Sequence, residues 1–557
     1  MGKNKKITMN HSTLHAKNTD TRPYYYGLKG WNFYFLLKFG LLWYGYLNFN
    51  AFENLLFIAF LLLPIPWAKI SKLRYWIAIP IGIALLYLDS WLPSMESIWQ
   101  QKDQITGFSA EYLYELIVRF INVKMLAAAF ILLVIYIFSA NWIRYSTFVV
   151  IGIVWLNISN VIDFKVSFTQ PVATTTIGSS ERQTTNSNIQ PLQTGEPTDE
   201  TLNKWLEQFH LYEKQRKTQF LTSLPSEAQP FDVLMINICS LSWDDFDDTE
   251  LINHPIWKRF DILFKNFNSA TTYSGPASIR LLRASCGQDP HQSLYEEADK
   301  QCLLLDNLAN LGFEEYLIMD HKGDYGNYLS GLRDYAGLKA PLQSQANLSH
   351  QITAFDGTPI YNDQDILREW LNTIKHSNNP RTATFFNLIP LHDGNRNVKD
   401  KKIADYHTDL KILLDQLNSF FDELEKSERH VMVIVAPEHG AALKGDKMQI
   451  SGLRDIPNST ITDVPVGIKF IGMKSLPPKE EIILTQPSSY LAISELVARA
   501  VDGKIFSDTT VDWSKYTANL PITAKVAENA NYIVIDYKGK SYVRMSNKKW
   551  VPYPTTP

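Results

Sequence analysis

The sequence predicts an α-helical membrane anchor of about five helices, followed by an α/β domain with a central mixed sheet flanked by helices. Three observations predict this. Long apolar runs crowd the first third of the 557 residues. A stretch poor in large apolar side chains follows them. Beyond it, short β-rich apolar runs alternate with segments of helical periodicity.

The apolar runs span 31–48, 53–68, 74–94, 121–140 and 143–160, and each approaches the roughly 20 residues that cross a bilayer. The second is short and ends in prolines. No small-residue cleavage site follows the first run, so a signal peptide is not expected. Lys3, Lys5, Lys6, Lys17 and Lys29 precede the first run, and Lys69, Lys72 and Arg74 lie between the second and third. The loop between the first and second carries no Lys or Arg. By the positive-inside bias, segment 1–30 is cytoplasmic, and five crossings over 31–160 deliver the rest to the far side. For a bacterial inner membrane that side is the periplasm.

Residues 161–204 are rich in Ser, Thr, Gln, Asn and Pro. Such a composition cannot bury a core and reads as a flexible linker. From 205 to 557 the pattern changes again. The runs 231–239, 314–320, 382–390, 430–440 and 466–472 are nearly continuous in β-branched and aromatic residues, as buried strands are. Between them 276–285, 301–311, 364–377 and 404–426 repeat apolar residues at helical spacing, which argues for an α/β sheet covered on both faces. The tail "NYIVIDYKGKSYVRM" alternates around Lys-Gly and predicts a β-hairpin. Lys and Arg number 54 against 57 Asp and Glu, a net charge of −3; this balance gives no reason to expect nucleic acid as a partner.

Sites in open α/β sheets form beyond the carboxyl ends of strands. Cys239 ends the first strand; His392 follows the 382–390 strand; Glu438 and His439 follow the 430–436 strand between Pro437 and Gly440; Asp320 and His321 follow the 314–319 strand. Thiolate, carboxylate and imidazole together are a zinc donor set, and a catalytic zinc keeps one position open. Ser274, in "TTYSGPASIRLLRASCGQ", could take that position as an activated nucleophile at the head of a helix opened by Pro276. Each residue also has a plainer reading: Ser274 as a cap, Cys239 as core, Glu438–His439 as an ion pair, His392 as part of a turn. It is their conjunction at strand ends that favours a metal site. Arg454 could clamp a phosphate, while Arg280 and Arg283 read as structural. Asp320–His321 reads as a substrate contact or second metal site, and Asp244, Asp245 and Asp247 as solvated surface. Cys286 and Cys302, sixteen residues apart, are either two buried thiols or a disulfide contributing about 3 kcal/mol.

The motifs "NICSLSWDD", "TTYSGPASIRLLRASCGQ", "LHDGN" and "APEHG", together with the anchor and linker, resemble the phosphoethanolamine transferases of the alkaline phosphatase superfamily. The resemblance is nearest to the branch that decorates bacterial cellulose, and it covers essentially the whole chain. It implies an alkaline phosphatase/sulfatase-like domain. Ser274 would be the nucleophile, and Cys239, Ser274, Glu438 and His439 would hold one Zn2+. His392, Arg454 and Tyr273 would hold or protonate around the phosphate, with Cys286–Cys302 as the disulfide. It also implies phosphatidylethanolamine as donor, cellulose as acceptor, and subunits of the cellulose synthase and secretion complex as partners. Lipid A transferases typically use Thr as nucleophile and carboxylates with His as ligands, so Ser274 and Cys239 depart from that branch. The competing functions are a phosphoethanolamine or phosphoglycerol transferase acting on another envelope glycan or lipid, a sulfatase or phosphodiesterase, and a non-catalytic scaffold of polysaccharide secretion.

Overall fold

The computed structural model describes residues 27–65, 67–92, 110–119, 122–161, 191–545 and 548–554. Most of the N-terminal segment and of the 161–204 linker lies outside the described residues. The chain forms two compact units. One is built from residues up to 91 and from 123–174, the other from 92–122 and from 175 onward.

In the first unit the helices Trp31–Trp43, Ala51–Leu62, Ala68–Asp89, Val123–Ser139 and Tyr145–Val161 fall on the five apolar runs. Among the described residues, Lys69–Asp89 alone is long and apolar enough to cross a membrane, and Val123–Ser139 could do so if counted as one broken span with Tyr112–Arg119. Ala51–Leu62 and Tyr145–Ser159 are apolar but shorter. Five crossings therefore rest on the sequence reading, not on helix length. Phe35, Phe57, Ile58, Val149 and Ile153 form the apolar core of the unit. Inside it lies a fully buried polar cluster: Lys38 pairs with Asp89 and donates to Asn54 Oδ1 at 2.7 Å, and Asn54 Nδ2 donates to Asp89 Oδ2 at 2.8 Å. The other Asp89 oxygen accepts from Asn50 Nδ2 at 2.7 Å and Asn50 N at 3.0 Å.

The second unit is organised by a seven-stranded sheet. Its strands are β1 (Asp232–Ile238), β2 (Ile262–Asn268), β3 (Glu314–Met319), β6 (Thr382–Leu388), β8 (Val431–Val435), β9 (Asp463–Ile471) and β10 (Ile482–Leu484), in the order β10-β2-β9-β8-β1-β6-β3. Strand β9 pairs antiparallel with both neighbours, and the other pairings are parallel. The sheet is therefore mixed, although the 466–472 run reads like the parallel strands. β2 escapes the sequence pattern because Lys265 and Asn266 interrupt its apolar run, and these two are the residues of the strand left outside the core.

Alternate residues of β1 serve opposite layers, as strand geometry requires. Val233 and Met235 pack with the helices Ser274–Leu282, Leu304–Asn310 and Tyr490–Ala500; Leu234, Ile236 and Ile238 pack with Asp363–His376 and Tyr406–Glu425. Beside the main sheet stand a three-stranded sheet of β4 (His350–Thr353), β5 (Pro359–Tyr361) and β7 (Arg396–Asn397), and a four-stranded one of β11 (Val526–Glu528), β12 (Ile533–Tyr537), β13 (Lys540–Arg544) and β14 (Trp550–Pro552). The predicted hairpin is β12–β13. A short helix, Ala110–Arg119, belongs to this unit although its sequence lies between two apolar runs. Arg119 donates to both oxygens of Asp393 at 2.6 and 2.9 Å, Tyr112 to Asp393 Oδ2 at 3.0 Å, and Arg396 to Glu115 at 2.9 Å.

Candidate metal and catalytic site

The carboxyl ends of β1, β8, β6 and β3 form one continuous edge, and the chemistry predicted from the sequence lies along it. Cys239 directly follows β1, and Ser240 then turns the chain with a left-handed φ of 67°. That conformation is sparsely populated by residues other than glycine. Beyond β8 the chain continues beside β1 irregularly: Ala436 N and Glu438 N donate to Ile236 and Ile238, while Leu241 N donates to the His439 carbonyl. The departure from strand geometry lets adjacent Glu438 and His439 face one centre. Gly440 is needed here, because a Cβ would collide with Oγ and Cβ of Ser242.

Ser274 is the first residue of the helix Ser274–Leu282, with Tyr273 as cap and Pro276 inside the first turn. The helix thus opens two residues earlier than the proline suggests. Ser274 Oγ lies 3.4 Å from Cys239 Sγ and 3.5 Å from His439 Nε2, and His439 Nε2 lies 4.0 Å from Glu438 Oε2. The donor atoms of Cys239, Glu438 and His439 all fall within 4.8 Å of one another. Tetrahedral zinc with bonds of about 2.0–2.3 Å spaces its ligands by about 3.3–3.8 Å, so these four donors fit such an ion with small adjustments.

The hydrogen bonds around the donors point the same way. Glu438 is fully buried; its Oε1 accepts from Asn387 at 2.7 Å, Ser278 at 3.0 Å and Tyr328 at 3.5 Å. Its Oε2, also buried, has no hydrogen-bond partner within ordinary geometry among the described residues, and burial raises the carboxyl pKa. An unsatisfied buried oxygen is costly, and a cation is what would relieve it. His439 Nδ1 donates to the Gly440 carbonyl at 2.9 Å, which fixes the tautomer whose Nε2 lone pair faces Ser274. Burial and the nearby Arg454 charge hold this ring well below its ordinary pKa, hence neutral. Burial pushes the Cys239 thiol up to about 12, so a thiolate there requires a metal to displace its proton.

Arg454 Nη1 donates to Ser240 Oγ at 3.0 Å and lies 3.2 Å from His439 Nδ1, placing a guanidinium against the cluster. His392 stands at the end of the neighbouring strand. Its ring stacks on Phe355 at 4.2 Å and its Nδ1 donates to the Asp393 carbonyl at 2.7 Å. Burial and Arg454 lower its pKa to about 4. Tyr273 turns its hydroxyl to Asp455 at 2.6 Å and so secures the loop that carries Arg454. Cys286 and Cys302 form a disulfide behind the far end of the Ser274 helix, outside the cluster. Arg283 donates to the carbonyls of Tyr335, Ser293 and Glu296, a structural role.

Asp245 corrects the sequence reading. It is buried, not solvated, and its Oδ2 accepts from Ser242 N at 2.8 Å, Ser242 Oγ at 2.9 Å and Ala441 N at 2.9 Å. It ties the turn after Cys239 to the turn after His439. The signal was the capping box Ser242-x-x-Asp245, hidden among neighbouring aspartates. Asn387, Ser278 and Tyr328, which orient Glu438, carry no sequence signal of their own. They converge only through the sheet register and the packing of two helices.

Comparison with known proteins adds the family. The description "Cellulose biosynthesis protein BcsG C-terminal domain" matches residues 186–550, and "Cellulose biosynthesis protein BcsG N-terminal domain" matches 31–158. The cellulose biosynthesis protein BcsG of Salmonella typhimurium is 52% identical over 549 residues, covering 95% of this chain and 97% of that protein. Its counterpart from Escherichia coli strain K12 is 52% identical over 542 residues, with the same coverage. Among solved structures, a protein in the alkaline phosphatase superfamily from Vibrio parahaemolyticus shares 10% identity at a TM-score of 0.43, covering 60% of this chain and 81% of its own. The soluble domain of a lipooligosaccharide phosphoethanolamine transferase from Neisseria meningitidis shares 14% at 0.36, covering 52% and 93%. On the strength of the two domain matches and the near full-length identity, the chain belongs to the cellulose biosynthesis protein BcsG family.

Proposed function

We propose that this protein is a zinc-dependent phosphoethanolamine transferase of the bacterial inner membrane. It takes the group from phosphatidylethanolamine, holds it on Ser274, and passes it to a sugar hydroxyl of cellulose. The observation that carries the reading is the convergence of Cys239, Ser274, Glu438 and His439 at one sheet edge, with the hydroxyl at a helix start. The relatives' role in cellulose biosynthesis supports the acceptor, and the apolar first third supports a multi-pass anchor that meets a lipid donor and the other synthase subunits. The N-terminus is then cytoplasmic and the catalytic unit periplasmic.

Cys239, Ser274, Glu438 and His439 would hold the ion. When bound, zinc supplies Lewis-acid charge to the phosphoryl oxygens and favours the deprotonated serine. The protein's own groups do the rest. Ser274 Oγ bonds to phosphorus as the P–O bond to glycerol breaks and diacylglycerol leaves with the electron pair, and the developing negative charge on the phosphoryl oxygens would be met by the Arg454 guanidinium. The first-turn amides of the helix favour the same charge. His439, neutral and fixed in one tautomer, keeps its Nε2 lone pair free to hold the ion.

The test is intact mass of the zinc-loaded, full-length protein after incubation with phosphatidylethanolamine. A phosphoethanolamine adduct on the wild type that is missing from a folded Ser274→Ala variant is the expected outcome. A folded, metal-loaded wild type that gains no mass overturns the reading. A scaffold would behave identically with and without Ser274.

A further inference from the structure

Asp320 and His321 end β3, two strands from Cys239 along the same edge. Both side chains are buried, Asp320 completely. Asp320 Oδ2 accepts from Ile389 N at 2.9 Å, at the start of the turn that carries His392, and its Oδ1 lies 2.8 Å from His321 Nδ1. The His321 backbone is held as well, its carbonyl accepting from Gln345 Nε2 at 2.7 Å. The imidazole is thus fixed with Nδ1–H toward a carboxylate, which leaves Nε2 as its working nitrogen. No hydrogen bond occupies that nitrogen among the described residues. The ring lies 5.9 Å from that of Tyr328, whose hydroxyl reaches Ser278 at 2.7 Å and Glu438 at 3.5 Å. His321 therefore lies along the rim of the metal-ligand cluster without contacting a ligand.

We propose that His321, oriented by Asp320, is the proton carrier of both half-reactions. The inference rests on the transferase reading above. In an in-line displacement the entering and leaving oxygens stand on opposite sides of phosphorus. The leaving diacylglycerol oxygen and the entering acceptor oxygen both stand opposite Ser274, so they occupy one position in turn. A single group beside that position serves both. In the first half the Ser274 Oγ–P bond forms and the P–O bond to glycerol breaks. Its electron pair goes to the glycerol oxygen, which takes the proton from protonated His321 Nε2. In the second half the acceptor hydroxyl gives its proton to neutral Nε2 as its oxygen bonds to phosphorus, and the P–Oγ bond breaks with its pair returning to Ser274. The proton lost by the acceptor replaces the one given to diacylglycerol, so the cycle closes.

Spacing agrees. Two inter-strand steps of about 4.8 Å separate the backbones of Cys239 and His321 by roughly 10 Å, so both side chains belong to the same sheet edge. His392 lies nearer but is a poorer carrier. It is stacked on Phe355, its Nδ1 is spent on a carbonyl rather than a carboxylate, and it faces Arg454.

The test compares donors whose leaving groups differ in their need for a proton. Full-length wild type, His321→Asn and His321→Gln are incubated with phosphatidylethanolamine or with p-nitrophenyl phosphoethanolamine, and the rate of Ser274 adduct formation is read by intact mass. A glycerol oxygen must be protonated, whereas p-nitrophenolate leaves without a proton. The variants are expected to lose about 10²–10⁴-fold with the lipid but to stay within about threefold of wild type with the activated ester. Their adduct is also expected to persist longer when acceptor glycan is added, and imidazole is expected to restore part of the lipid rate to His321→Gly. Equal slowing with both donors, or no slowing with the lipid, overturns the assignment of His321 alone. A wild type that forms no adduct from either donor overturns the transferase reading and this inference together. Asp320→Asn, a positioning change, should give the same split between donors to a smaller extent.

Discussion

In the helical unit, Lys38, Asn54 and Asp89 are fully buried and satisfy one another. At the sheet edge, Glu438 is just as deeply buried, yet one of its oxygens accepts no hydrogen bond among the described residues. The first cluster is closed, with charge met by charge and every carboxylate oxygen used. The second instead gathers groups that could hold a metal ion. Burial alone does not distinguish the two clusters; what sets the second apart is that the unmet oxygen lies among three other metal-donor groups, those of Cys239, His439 and Ser274.

One effect that could break this contrast is on metal affinity. Glu438→Gln replaces the unmet lone pair with an N–H donor, and zinc affinity is expected to fall by at least about 100-fold in competition with a chelator. The same change removes a buried charge, so the metal-free protein should melt no lower than wild type. If metal-free Glu438→Gln were strongly destabilised, Glu438 would belong with the closed clusters. Lys38→Met should do the opposite, costing about 3–5 kcal/mol because it strands Asp89 without its cation. Pairing it with Asp89→Leu should restore much of the thermal stability in detergent. A single variant as stable as wild type would show that the closed cluster stores no interdependence.

A third contrast concerns Asp245, which lies between the two types. Three donors meet its Oδ2, but its Oδ1 is buried without a hydrogen-bond partner among the described residues, and burial raises its pKa to about 7. Between about pH 4 and 7 the folded chain keeps a proton that the unfolded chain has released. Stability from this group is full below about 4 and lost as the pH rises to about 7, by roughly 4 kcal/mol at about 1.4 kcal/mol per pH unit. Asp245→Asn keeps the acceptor and removes the proton, so its melting temperature should fall less than the wild type's over that interval. Parallel curves would refute the protonated carboxyl.

How much of this was legible in the sequence depends on how local each signal is. Cys239, Glu438 and His439 could be read because each ends an apolar run, and strand ends are where α/β sheets place chemistry. The disulfide was open to a spacing argument. Strand β2 was not legible, because its solvent-facing Lys265 and Asn266 broke the run that marks a buried strand. Asp245 was misread because three nearby aspartates look like surface charge, while only one of them turns inward. The Glu438 partners Asn387, Ser278 and Tyr328 come from three elements, brought together by the pairing of β1 with β6 and by helix packing. No window of sequence contains that information.

The helix Ala110–Arg119 has a consequence for how the sheet-bearing unit can be cut. Through Arg119, Tyr112 and Glu115 it grips Asp393 and Arg396, immediately after His392, although more than 270 residues separate the partners in sequence. The folded body is therefore assembled from two separate lengths of chain. A fragment that starts at the linker is a jigsaw lacking one piece, with Asp393 facing water where a guanidinium had been. An excised soluble domain would fold around its own sheet, yet the turn holding His392 would be braced on one side only.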